Sequence, residues 1–155
     1  MKDINIVLVN PEIPQNTGNI SRTCAVTGAA LHIIKPTGFE ISDRTLKRAG
    51  LDYWQYLDVT YYDSFDEFLS LYGDKEIYYF TAHAQKSAFD VKYGGTVFLV
   101  FGRESVGLDA ELIEKNRDRA VRLPMLPGVR CLNLSNSCAV AVYEVLRQRG
   151  FCDLV

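Results

Sequence analysis

The chain has 155 residues, of which 48% are apolar and 23% charged, with a formal net charge of −2. That is the length of a single domain, 1–155, able to bury a core without disulfide or metal staples, and it excludes a disordered chain. No apolar run approaches the roughly 18 residues of a membrane span, and "MKDINIVLVN" has neither a basic n-region nor a small-residue cleavage site, so a cytoplasmic address is expected.

In chain order, "INIVLVN" is an apolar strand bounded by Asn10-Pro11. After "EIPQNTGN", read as a glycine-containing turn, comes a helix-like stretch from Ile20 to Thr27 with a stop at Gly28. "LHIIKP" is the next strand, and "SDRTLKRAG" a short basic helix opening at Ser42 and ending near Gly50. "YLDVTYYD" follows as a strand by its β-branched and aromatic content. Ser64 and Glu67 have the spacing of a capping box, which predicts a helix from there to Gly73. Then come the strands "EIYYFTA" and "TVFLVFG", a helix near 109–116, the strand "RAVRLPM", and a final helix from about Leu134 to Gln148. Strands such as "TVFLVFG" are apolar throughout rather than alternating, the pattern of a parallel sheet covered on both faces, so a doubly covered α/β fold is expected. No repeat, low-complexity tract or linker divides the chain.

Cys24, Cys131, Cys138 and Cys152 contain no C-x-x-C pair, and with only His32 and His83 beside them no zinc set assembles, so reduced thiols and no metal are expected. The acidic balance weighs against nucleic-acid binding only weakly, because what matters is where Lys and Arg cluster.

Ligands of open parallel sheets bind at the carboxyl ends of the strands. Three strands here end in loops rich in Gly, Pro, Asn and Arg: "PEIPQNTGNISR" (11–22), "FGRESVGL" (101–108) and "LPMLPGVRCLNLSN" (123–136). The first lacks both G-x-G-x-x-G and the Walker pattern, so neither phosphate loop is present. The second places glycines around Arg103, Glu104 and Ser105, which permits close backbone approach to a ligand. The third crowds Arg130, Cys131, Asn133, Ser135 and Asn136 before the last helix, more polar groups than one N-cap requires.

These loops, in this order, resemble the SPOUT family of RNA methyltransferases. The first matches N-x-G-x-x-x-R as Asn16, Gly18 and Arg22; the second matches F-G-x-E-x-x-G-L as Phe101, Gly102, Glu104, Gly107 and Leu108. The third matches I-P-M followed by S-L/M-N-L-S-N as Leu123, Pro124 and Met125, then Cys131 to Asn136, with Cys131 where the family usually has Ser. Together with "RAGLDYW" and "VYEVLRQRG", the likeness covers nearly the whole chain and looks like the minimal, single-domain branch that 2′-O-methylates the wobble nucleotide of tRNA.

The resemblance implies an α/β-knot fold with a C-terminal trefoil knot, a homodimer, a tRNA substrate and S-adenosylmethionine as cofactor. It implies a cofactor pocket lined by Phe80, Gly102, Leu123 and Cys131, with Arg22 as the catalytic arginine, and Glu104, Asn133 and Ser135 orienting the ribose or the cofactor's polar groups. A guanidinium pKa above 12 makes a general base a poor description of Arg22, so electrostatic stabilisation or a phosphate clamp is expected of it. Phe80 and Leu123 are also ordinary core positions. Tyr143 is expected in dimer packing rather than on RNA, and Arg44, Lys47 and Arg48 either hold tRNA phosphates or form a solvated face. The rival readings are an RNA-binding protein of the same fold without methyl transfer, methylation at another tRNA or rRNA position, and a nucleotide-binding regulator.

Overall fold

The computed structural model of the protein describes residues 2–40, 57–151 and 154–155. The expected basic helix at 42–50, with Arg44, Lys47 and Arg48, lies outside the described residues, as does Cys152.

Among the described residues seven strands form one sheet: β1 (Ile4–Val9), β2 (Ala30–Ile34), β3 (Val59–Tyr62), β4 (Glu76–Phe80), β5 (Lys86–Ser87), β6 (Val97–Phe101) and β7 (Ala120–Arg122). Among the described residues four α-helices accompany them: α1 (Pro14–Thr27), α2 (Phe65–Tyr72), α3 (Ala110–Lys115) and α4 (Leu134–Gln148). The spatial order is β3-β2-β1-β6-β4-β7-β5, and every paired neighbour is parallel. β2 and β6 are buried at every position, which is why those segments read as unbroken apolar runs. One face carries Ile6, Leu8, Leu31, Ile33 and Leu99 against Ile20 and Cys24 of α1 and Cys138, Val142 and Val145 of α4. The other carries Val7, Ile34, Phe98 and Val100 against Phe68 and the partly buried Leu112 and Ile113.

The helix from Leu134 to Gln148 runs as expected, and Gly28 ends α1 in the left-handed region at φ 74°. The expected Ser64 cap starts α2, with Glu67 N–H donating to Ser64 Oγ at 3.1 Å, while the Glu67 carboxylate reaches one residue past the cap and accepts from the N–H of Asp63 at 2.7 Å. One expectation needs correction, and one element is new. α1 begins at Pro14, not Ile20, so "NTGNISR" lies inside the helix rather than in a turn before it. Proline suits that first helical position because it lacks only an N–H that the helix would leave unpaired. The two-residue strand β5 was not expected, and it joins the sheet only through β7.

Candidate cofactor and RNA site

Strands β4, β6 and β7 end side by side, so the loops that follow them meet. Phe80 ends β4 and Phe101 ends β6; their rings stack at 4.6 Å between centroids with planes 22° apart. Leu123 follows β7 directly and is buried with them. A cavity of about 700 Å³ opens over this floor.

Its wall is shaped by the 102–107 turn. Arg103 N–H donates to Gly107 O at 3.2 Å and Gly107 N–H to Arg103 O at 2.9 Å, closing the turn on itself. A Cβ on Gly102 would sit 2.1 Å from the Gly107 carbonyl carbon and 2.2 Å from the Leu108 nitrogen, so the closure requires glycine there.

A chain of side-chain hydrogen bonds holds the three loops in register. Asn133 caps α4: its Oδ1 accepts the N–H of Ser135 at 2.9 Å and the Ser135 hydroxyl at 2.6 Å. Its Nδ2 donates to Asn16 Oδ1 at 2.9 Å, and Asn16 Nδ2 donates to Glu104 Oε1 at 3.1 Å. Glu104 also accepts the N–H groups of Glu12 at 2.8 Å and Ile13 at 3.1 Å, at the entrance to α1. A carboxylate there satisfies amides that precede the first turn and lies at the positive end of the helix dipole.

Phe80, Gly102, Glu104, Leu123, Cys131 and Asn133 all line the cavity. Ser135 does not; it is buried behind Asn133 and supports the cap. Arg22 also lies outside the lining, on the exposed side of α1 with Asn19 and Val26. The surplus polarity before α4 thus divides into a cap, a link to α1 and two lining residues, Arg130 and Cys131. Sequence reasoning did not single out Ile13, Thr81, His83 and Val106, which also line the cavity; Ile13 and Val106 stand within loops already marked, whereas Thr81 and His83 follow β4 in a segment without glycine, proline or asparagine to mark it.

Burial pushes the Cys24 thiol up to about 12 and the Cys138 thiol well above its ordinary value, so both are protonated packing groups. Among the described cysteines Cys131 is the exposed one, at the cavity. No cluster of His, Cys, Asp or Glu able to hold a metal occurs among the described residues, and none of their helices is long and apolar enough to cross a membrane.

Residues 3–143 match the SpoU rRNA Methylase family. The chain is similar to the tRNA (cytidine(34)-2′-O)-methyltransferase of Saccharophagus degradans, with 45% identity over 148 residues, 95% of this chain and 96% of that one. A crystal structure from Bacillus anthracis superposes with a TM-score of 0.92 at 49% identity, covering 97% of each chain. A structure described by the 2′-OH methylation of C/U34 on tRNA superposes with a TM-score of 0.88 at 41% identity, covering 96% of this chain and 97% of that one. With its three loops converging on one cavity and its matched segment running through most of α4, this chain belongs to the SpoU methylase family of the SPOUT RNA methyltransferases.

Proposed function

We propose that the protein transfers a methyl group from S-adenosylmethionine to the ribose 2′-hydroxyl of the wobble nucleotide of tRNA, position 34, as a cytoplasmic homodimer. The observation that carries this reading is the convergence of the three loops on one cavity at the ends of β4, β6 and β7. The residues present fit the cofactor. Phe80, Phe101 and Leu123 offer apolar surface to an adenine, while the 102–107 turn and residues 130–133 bring backbone amides and carbonyls to the same space.

When bound, S-adenosylmethionine supplies a methyl on a sulfonium that carries its own leaving group, so no metal is required. What remains for the protein is alignment and charge stabilisation. Holding reacting atoms in line lowers a barrier by roughly 7–11 kcal/mol in favourable cases, which makes the rigid register of the three loops the larger contribution. For the 2′-oxygen to attack, its O–H proton must pass to solvent, and Arg22 is assigned to stabilise the negative charge that proton loss leaves on the oxygen before the O–C bond forms.

Arg22 shares the exposed side of α1 with Val26, beside an exposed stripe of α4 carrying Val140 and Tyr143. Val26, Val140 and Tyr143 are 57%, 38% and 47% exposed, and Phe151, whose ring lies 6.5 Å from that of Tyr143, is 40% exposed. An apolar face of this size supports burial against a second copy, which would bring its own Arg22 toward the first copy's cavity. Arg103 and Arg130 on the lining supply local positive charge for tRNA phosphates despite the net −2. The knot implied by the resemblance is supported by the insertion of β7 between β4 and β5, and by Gln148 of α4, which donates to Val91 O at 2.8 Å and accepts from Tyr93 N–H at 3.1 Å.

The deciding experiment incubates the purified protein with S-adenosylmethionine and tRNA lacking ribose methylation, then maps products by mass spectrometry. A 2′-O-methyl group on nucleotide 34 is expected. No incorporation, or methylation confined to another position, overturns the reading.

A further inference from the structure

Two acidic side chains cross between the same pair of loops in opposite directions. Glu104 takes the backbone N–H groups of Glu12 and Ile13 at 2.8 and 3.1 Å. Glu12 returns the contact, its carboxylate accepting the N–H of Ser105 at 2.9 Å and the Ser105 hydroxyl at 2.9 Å. The backbone that carries Glu12 is itself backed by the loop after β2. Gly38 N–H donates to Pro11 O at 2.8 Å, and a Cβ on Gly38 would come within 2.8 Å of the Glu12 Cα. On the far side stands the closed 102–107 turn, which has no internal slack at Gly102. Such a turn shifts as a unit, so what fixes its placement is what ties it to α1.

We propose that Glu12, which does not line the cavity, is a positioning residue for methyl transfer. Its carboxylate locks the Arg103–Gly107 turn against the entrance of α1, and thereby sets the cofactor-binding wall relative to the helix whose exposed face is assigned to the second copy. The inference rests on the reading of the cavity as the S-adenosylmethionine site. The Ser105 hydroxyl and N–H hold the Glu12 carboxyl below the usual carboxylate range, with Arg103 adding to the effect, so the clamp stays ionised at neutral pH. Because these bonds are open to solvent they contribute little to folding, and their removal separates geometry from stability.

The test compares Glu12→Ala, Glu12→Gln and Ser105→Ala with the wild-type protein by calorimetric titration of S-adenosylmethionine, steady-state methylation of tRNA and thermal unfolding. Glu12→Ala is expected to weaken cofactor binding about tenfold and to lower kcat/KM by about 10- to 100-fold, the scale of a small misplacement at a reacting centre. Its unfolding midpoint is expected to move by no more than about 2 °C, as for a surface substitution. Glu12→Gln keeps one acceptor oxygen and should fall between the two. Glu12→Ala should also cost less in the Ser105→Ala background than in the wild type, because the partner hydroxyl is already gone.

Wild-type binding and turnover in Glu12→Ala overturn the proposal, and so does a loss that accompanies an unfolded protein without rescue by Glu12→Gln. Failure of the wild-type protein itself to bind S-adenosylmethionine overturns the reading of the cavity, and the clamp's role with it.

Discussion

Asn133, at the N-terminus of α4, donates through Nδ2 to Oδ1 of Asn16 in α1 at 2.9 Å, across 117 residues of chain. The same side chain caps its own helix through the other amide atom, accepting from Ser135 N–H. One residue thus performs a local task and a long-range one, and the two are separable by substitution.

Asn133→Asp keeps the capping oxygen and removes the donor that faces Asn16. Aspartate is as good an N-cap as asparagine, so the unfolding midpoint should stay within about 2 °C of wild type. Turnover should fall by about tenfold or more, because the register between α1 and α4 is lost. Asn133→Ala removes both functions and should cost a further ~1 kcal/mol of stability through the cap. Denaturation and steady-state kinetics on the pair check the separation; an Asn133→Asp protein as active as wild type contradicts it.

Gly102→Ala should damage cofactor binding and fold together. The added methyl would meet the Gly107 and Leu108 backbone at 2.1 and 2.2 Å, and these atoms belong to a turn that cannot yield without opening. Overpacking of this kind costs ~1–3 kcal/mol, a midpoint drop of roughly 2–12 °C at this size. Thermal unfolding with and without S-adenosylmethionine measures both effects. An unchanged midpoint with unchanged ligand stabilisation would show that the turn has room.

Arg22→Lys retains the charge but loses the planar fork, and should therefore lose most turnover while leaving cofactor affinity nearly unchanged. If each cavity is completed by the partner's α1, mixing Arg22→Ala chains with Asn133→Asp chains should restore activity. Random pairing makes half of the dimers mixed, each with one intact site, which predicts about one quarter of wild-type turnover. No recovery on mixing, with exchange of subunits verified by sedimentation or mass spectrometry, would place Arg22 in its own chain's site.

His32 should make the fold sensitive to mild acid. Its ring sits between the Tyr62 hydroxyl, 2.7 Å from Nδ1, and Asn5 Oδ1, 3.2 Å from Nε2, among the rings of Phe68, Tyr72 and Phe98. Burial pushes it down from 6.5 to about 4, against a smaller upward pull from Asp58. Between these values the unfolded chain binds a proton that the folded one refuses, so stability rises with pH through that window and falls as pH drops from 6.5 toward 4. The loss between pH 7 and pH 5 should be ~2 kcal/mol. Urea unfolding at the two pH values reads it directly, and His32→Gln should flatten the dependence; an equal dependence in the variant would assign it elsewhere.

What the sequence by itself determined lies within the reach of a strand or a helical turn. The unbroken apolar run 97–101 specified a covered parallel strand, Ser64 and Glu67 specified the start of α2, and the period after Leu134 specified α4. Proline, glycine and asparagine at strand ends marked the loops that form the cavity. These features are legible because burial pattern, capping and turn chemistry act between neighbours in the chain. The start of α1 at Pro14 was not legible, because the amides that enter it are satisfied by Glu104, 91 and 92 residues later. Only the tertiary structure decided that Ser135 backs the cap while Asn133 reaches the cavity, that Glu12 and Glu104 cross between loops, and that Arg22 stands outside its own chain's cavity wall. Each depends on a partner brought near by the parallel sheet, and a hydrogen bond between distant segments leaves no periodicity for a sequence to carry.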